Sequence, residues 1–162
     1  MPERDYILRL VDESGRFFRA IAAQREARMP DTAIQTVSEG MERLFGLTVS
    51  DLSTLDVDGL YSQLVAGENE ESARDKCLAF AGLNYQAGLA YAEKDMPALA
   101  QPAFHMALTF TLKGLAGHPA GKLPLFAPDV AILRHQLEGF GAPEATLALL
   151  EEYERRLRDR AA

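Results

Sequence analysis

The sequence has little of what identifies several protein classes at first sight. Cys77 is alone among 162 residues, so no disulfide can form within the chain, and a lone cysteine predicts a reducing compartment, the cytoplasm. No run of 18 apolar residues occurs, so we expect no helix that spans a membrane. The charged residues 1–5 are not followed by the apolar stretch of a secretory signal. β-Branched residues are sparse and no stretch alternates apolar with polar residues, which argues against strands.

Motifs for metal binding and catalysis are missing too. His105, His118 and His135 are predicted on three different elements, and no H-E-x-x-H, C-x-x-C or Glu-x-x-His spacing occurs. The sequence contains no nucleophile elbow, Walker loop or dinucleotide fingerprint. Cys77 shares a predicted helical face with Phe80, which favours a small core residue over a nucleophile. We therefore expect no metal, no cofactor and no enzymatic activity.

Negative charge is concentrated in the middle of the chain. The net charge is −7, and residues 31–95 contain four basic and twelve acidic residues. Such a surface repels phosphate backbones, so nucleic acid is a poor candidate partner. Four basic residues lie near the end of the chain, where cations in the last turns of a helix interact favourably with the negative end of its dipole. They are Arg155, Arg156, Arg158 and Arg160.

Apolar residues recur at helical spacing along nearly the whole chain. This pattern predicts a single all-α domain over residues 1–162, an antiparallel helical bundle of six to eight helices. A first helix is expected at 4–28, ended by Pro30. A second is expected to be capped by Asp31 or Thr32 and closed by Gly46.

The two longest packed helices are predicted at 70–94 and 97–116, and they form the central hairpin of the bundle. Pro97 suits the first position of the second helix, and Pro102, deeper in that helix, predicts a bend. Residues 118–128 hold three prolines and are expected to be irregular. A helix over 129–140 and a final helix should follow.

Residues 88–107 carry the spine of a tetratricopeptide (TPR) helical hairpin, which reads Gly88-x2-Tyr91-x8-Ala100-x3-Phe104-x2-Ala107. The small residues let two antiparallel helices approach, and the aromatic residues fill the space beside them. The Trp and Leu of the repeat fall on Asn84 and Ala87, and its closing Pro falls on Leu112. The pattern is therefore similar to one TPR-like hairpin and does not predict an array.

The start of the chain resembles a family of uncharacterised bacterial helical proteins, a domain of unknown function. The resemblance rests on residues 5–12, Asp-Tyr-Ile-Leu-Arg-Leu-Val-Asp, and on residues 46–52, Gly-Leu-Thr-Val-Ser-Asp-Leu. It continues through the TPR-like hairpin to about Leu115. It implies a helical, TPR-like protein and carries no activity, substrate or cofactor with it.

A TPR-like hairpin suggests where a partner protein would bind. The concave side of the helix before the turn is expected to carry Tyr85, Gln86, Leu89 and Glu93, which are the candidate partner-binding residues. Asn84 stands where the repeat has a large aromatic, and its amide needs a partner if it is buried, since an unsatisfied polar group costs about 1–3 kcal/mol. The favoured partner is the backbone of a neighbouring helix, and the alternative is a ligand.

The favoured function is protein–protein interaction or scaffolding, with another protein or peptide or with a second copy. Apolar residues lie on more than one side of the first helix, so Leu10 and Phe17 are candidates for self-association. The alternative, which is equally open, is that the last two helices fold back and cover that side of the first helix within one chain. A different class of function is a helical protein that binds a small molecule in a pocket between helices near the 118–128 segment.

Overall fold

A computed structural model of the protein describes residues 2–117, 122–138 and 141–161. These residues form eight helices and no strand, which confirms the predicted all-α bundle. The helices are α1 (Pro2–Glu26), α2 (Pro30–Phe45), α3 (Val49–Thr54), α4 (Val57–Val65), α5 (Glu70–Glu93), α6 (Pro97–Gly117), α7 (Val130–Gln136) and α8 (Glu144–Ala161). None of these helices combines the length and the apolar character that crossing a bilayer requires.

The junction between α1 and α2 differs from the prediction. α1 ends two residues before Arg28, whose backbone is left-handed with a φ of 57°. Pro30 lies after the end of α1. It is the first residue of α2, where its missing N–H has no helical partner to lose. The predicted caps Asp31 and Thr32 therefore lie inside α2, whereas Gly46 closes it as predicted, with a φ of 67°.

Side-chain caps define the short connections between α2 and α5. Thr48 and Asp51 form a reciprocal capping box at the start of α3. Asp56 accepts a hydrogen bond from the backbone N–H of Gly59 at 2.8 Å, which caps α4 as its position predicts. Asn69 caps α5 in the same way. These caps satisfy amide groups that have no partner within their own helix.

α5 is the central helix of the fold and is buried on nearly every side. It packs against α1, α2, α4 and α6, which is why its apolar and small residues show no single stripe. Phe80 is fully buried, and its ring lies 6.0 Å from that of Phe45 and 4.6 Å from that of Phe110, edge to face in both pairs. Aromatic pairs in this geometry stabilise a core beyond the area they bury.

The hairpin of α5 and α6 has the predicted boundaries within one residue. Asp95 turns the chain with a φ of 56°, and Pro97 begins α6. A Cβ at Gly88 would lie 2.6 Å from Cδ1 of Phe104, so the ring occupies the space that the glycine leaves open. α6 continues without a break through Pro102.

A second apolar cluster joins α6 to the last two helices. Its buried members include Phe104 and Leu112 of α6 and Leu133 of α7, and residues of α8 pack against it. α7 is capped by Asp129 and ends at residue 136, shorter than the predicted 129–140; Phe140 lies outside the described residues. Residues 122–129 contain no helix or strand, in agreement with the prediction for 118–128; residues 118–121 lie outside the described residues.

Candidate functional site

Two of the four predicted partner-binding residues are engaged by the first helix. Arg25 of α1 donates from Nη1 to Oε1 of Gln86 at 3.0 Å, and its guanidinium forms an ion pair with Glu93, with Nη2 2.7 Å from Oε1. The pair is partly exposed, so its contribution to stability is about 1 kcal/mol or less. These two α5 side chains therefore serve contacts within the chain.

The other two predicted residues pack on a different side of α5. Tyr85 and Leu89 are half-buried against the second apolar cluster, and the ring of Tyr85 lies 6.0 Å from that of Phe104. Tyr85, Gln86, Leu89 and Glu93 are thus divided between two internal contacts. All four therefore make contacts within their own chain, and their role in partner binding stays a prediction.

The apolar residues of α1 are also covered by their own chain. Leu10 is 5% exposed and belongs to the core. Phe17 is half-buried, and its Cδ1 lies 3.4 Å from the position of a Cβ on Gly40 of α2. On another side, Phe126 stacks on Phe18 with ring centroids 5.2 Å apart. α2, α5 and the segment 122–129 therefore pack against α1, whereas α7 and α8 pack against α6. The second side that Leu10 was expected to offer to another copy is not free.

Asn84 satisfies its amide locally. Its Nδ2 donates to the carbonyl oxygen of Phe80, one turn earlier in the same helix, at 2.9 Å. The predicted bond to a neighbouring helix is therefore wrong. The polar group is satisfied without a ligand, as the favoured interpretation required.

Cys77 is a core residue. It is buried against α6, where a Cβ on Gly114 would lie 3.2 Å from the Cβ of Cys77. Burial raises the pKa of its thiol from 9.0 to about 12, although the positive charges of Lys113 and Lys76 act in the opposite direction. Desolvation disfavours the thiolate, which is the reactive form.

This burial predicts an inert thiol in the folded protein. At pH 8 the raised pKa leaves a thiolate fraction roughly 1,000-fold smaller than an ordinary thiol has. Iodoacetamide should label Cys77 slowly in buffer and rapidly in urea, with mass spectrometry as the measurement. Between pH 9 and 12 only the unfolded thiol loses its proton, so the stability contributed by Cys77 should fall as the pH rises. Equal labelling rates in buffer and urea would show an accessible cysteine.

Histidine and carboxylate side chains do not converge on a metal site in the part of the chain that the structure describes. His105 lies on α6 and His135 on α7, and His118 lies outside the described residues. His105 is half-buried, and burial lowers its pKa. Burial therefore favours the neutral form of this imidazole.

An open groove runs along α6. It has a volume of about 770 Å³. One face of α6 forms its floor, and α8 and the start of α4 form its walls. We call it the α6 groove. It is lined by Asp56, Val57, Asp58, Pro102, His105, Met106, Thr109, Lys113, Pro143, Ala145, Thr146, Ala148 and Leu149.

The α6 groove is closed at its base and open to solvent along its sides. Thr109 and Thr146 are buried at its base, with their hydroxyl oxygens 3.1 Å apart, which joins α6 to α8. Pro102 at one end of the floor and Ala145 and Ala148 in the α8 wall are exposed. Most of the lining is apolar or small, so the groove presents a shallow apolar surface that water can reach.

The charges on the rim of the α6 groove are unequal. Lys113 lies over the ring of Tyr61, with Nζ 4.6 Å from the centroid, so this cation already has an internal partner. The carboxylate of Asp56 accepts the hydrogen bond from Gly59 that caps α4. Asp58 is exposed and has no ion pair or hydrogen bond among the described residues. Two carboxylates and one ammonium therefore lie along the rim, and their net charge is negative.

The α6 groove was missed at the level of sequence because the same periodicity supports two interpretations. Pro102, His105, Met106, Thr109 and Lys113 recur at helical spacing, which marks one face of α6. Such a face is ordinarily covered by another helix of the domain. Only the placement of α8 shows that part of it is left open.

A smaller cavity lies where the small-molecule alternative expected one, beside the proline-rich segment. It has a volume of about 190 Å³ and lies between the ends of α6 and α8, next to Leu123. We call it the Leu123 cavity. It is lined by Leu112, Leu115, Ala116, Leu123, Leu149, Glu152, Tyr153, Arg156, Leu157 and Arg160.

Comparison of the chain with protein-family models, curated proteins and solved structures finds no match. The resemblances to the uncharacterised bacterial family and to a TPR hairpin therefore stay predictions. The functional argument rests on the geometry of the α6 groove and the Leu123 cavity.

Proposed function

We propose that this protein is an interaction module that binds a basic amphipathic helix of another protein in the α6 groove. The observation that carries the proposal is an open apolar groove of about 770 Å³ with an unpaired carboxylate, Asp58, on its rim. The buried Cys77 thiol fits a reducing compartment, and we place this binding in the cytoplasm.

The shape of the α6 groove favours a helix over a small ligand. From Pro102 to Lys113 the floor extends for three turns of α6, roughly 16 Å at 1.5 Å per residue. Sites for small molecules enclose most of their ligand, whereas the walls here are exposed. A helix that lays its apolar face into such a groove, with anchors one turn apart, is a recurring mode of recognition.

Electrostatics favours a basic partner over a second copy of this chain. The chain has a net charge of −7, and the free charge at the rim, Asp58, is negative. A helix with lysine or arginine beside its apolar face would meet attraction at the rim and from the protein as a whole. A second acidic copy would meet repulsion.

Fluorescence anisotropy with designed peptides tests the proposal. The probe is a labelled peptide of about 14 residues, with leucine at helical spacing and lysine at the flanking positions; its match carries glutamate in place of lysine. We expect saturable binding of the lysine peptide and weaker binding of the glutamate peptide. Asp58→Asn should weaken the lysine peptide by about two- to fivefold, as expected for an exposed ion pair.

Two matched variants make the result specific to the α6 groove. Glu151→Gln removes one exposed negative charge from α8 outside the groove and should leave binding unchanged. Ala148→Arg narrows the groove and should abolish binding, whereas Ala131→Arg, on the exposed side of α7, should not. Equal binding of both peptides, or binding that survives Ala148→Arg, would refute the proposal. A wild-type dimer that blocks peptide binding until dilution would identify a second copy as the occupant instead.

A further inference from the structure

The Leu123 cavity has a closed apolar end and an open end. Leu112 at the closed end is 2% exposed, whereas Leu157 at the open end is 47% exposed. Six of the ten lining residues are leucine or tyrosine. For comparison of size, an enclosed apolar cavity of about 150 Å³ holds a benzene ring. A volume of about 190 Å³ therefore has room for a ring or a chain of about six carbons.

The open end of the Leu123 cavity is positive in an otherwise acidic protein. Arg156 is anchored there, since its Nη1 donates to the carbonyl oxygen of Ala116 at 2.8 Å and its Nε to Glu152 at 3.0 Å. Arg155 also bonds Glu152, and these two arginines hold the pKa of that carboxyl below its ordinary value. The one acidic group in the lining is therefore ionised and neutralised by its partners.

Arg160 lines the same opening, and its side chain has no carboxylate partner among the described residues. The positive charge of Arg160 interacts favourably with the negative end of the α8 dipole. Arg158 has the same interaction but does not line the cavity. Arg160 differs from Arg158 in its position beside an apolar cavity. A guanidinium at such an opening is suited to a carboxylate, which it can bind with two hydrogen bonds.

We propose that the Leu123 cavity binds a small carboxylate with an apolar tail, with the tail among the leucines and the carboxylate at Arg160. This site is distinct from the proposed helix-binding surface, with which its lining shares Leu149. The affinity comes from burial of the apolar tail. The arginine selects for negative charge.

Three probes with the same six-carbon chain test the ligand class: hexanoate, 1-hexanol and hexylammonium. Chemical-shift titration of the wild-type protein should give saturable binding in the order hexanoate, 1-hexanol, hexylammonium. We expect hexanoate to bind about three- to tenfold more tightly than the alcohol, as a partly exposed charge-assisted bond would provide. Equal affinities for the three probes, or no saturable binding of any, would overturn the proposal.

Three variants place the site. Arg160→Gln should remove the preference for hexanoate and leave the affinity for 1-hexanol unchanged; Arg158→Gln, the control, should change neither. Ala116→Leu fills the cavity and should weaken both probes at least tenfold, and Leu123→Phe at the exposed opening tests the same point if Ala116→Leu does not fold. Unchanged binding in the cavity-filling variants, or a hexanoate preference that survives Arg160→Gln, would contradict the assignment.

Discussion

Replacing Phe104 by Ala should lower the free energy of unfolding by about 3–5 kcal/mol, as truncation of a large core side chain does. Phe104 is 4% exposed and fills the space above Gly88 in the α5–α6 hairpin, so its removal leaves a cavity at the contact that joins the two longest helices. Urea unfolding followed by far-ultraviolet circular dichroism measures the change. Leu99→Ala, on the exposed side of α6, is the matched control and should cost less than about 1 kcal/mol.

A double-mutant cycle with Gly88 identifies the contact itself. In an isolated helix, alanine in place of glycine stabilises by about 1 kcal/mol. In this protein the added Cβ would lie 2.6 Å from the ring of Phe104, so Gly88→Ala should destabilise the wild type. In the Phe104→Ala background the obstruction is gone, and the same change should stabilise. A melting temperature unaffected by Phe104→Ala, or the same sign for Gly88→Ala in both backgrounds, would show that this contact is not part of the core.

The elements that the sequence predicted well are those with local signals. The start of α6 follows from Pro97, which suits the first position of a helix, whereas the cap of α5 by Asn69 was found only in the structure. Gly46 closes α2 because its left-handed backbone suits glycine. The error at Pro30 has the same origin, since proline both ends one helix and begins the next, and the spacing alone does not distinguish them.

The positions of the candidate sites depend on how the helices pack against one another. The spacing of residues within a single helix does not determine that packing. Periodicity places Tyr85 and Gln86 on neighbouring sides of α5, but it does not show that α1 brings Arg25 to one of them and α6 brings Phe104 to the other. A helix at the centre of a bundle has no solvent face to predict. The α6 groove exists because α8 crosses α6 at Thr109 and Thr146 and leaves the neighbouring turns open.

Replacing Leu10 by Glu should destabilise the monomer by about 3–5 kcal/mol, because it places a carboxylate where the structure has a buried leucine. Burial should raise the pKa of the introduced carboxyl above its ordinary value of about 4.3. The penalty is therefore largest where this carboxyl is ionised, and stability should recover as the pH falls toward 4 and the carboxyl takes up a proton. The matched control is Leu8→Glu on the same helix, where the side chain is 60% exposed and the change should cost less than about 1 kcal/mol.

Leu10→Glu and Leu8→Glu also distinguish the two roles considered for α1, which are a core helix of one chain and an interface between two copies. If Leu10 belongs to the core of one chain, Leu10→Glu lowers the melting temperature and the helicity of a protein that light scattering shows to be monomeric, while Leu8→Glu does neither. If α1 is an interface between two copies, Leu10→Glu dissociates a dimer and leaves the helicity and the monomer intact. The second result would require Leu10 to be accessible in the monomer. Its contacts with its own chain make the first result the expected one, because a side chain that is 5% exposed has little surface left to offer a partner.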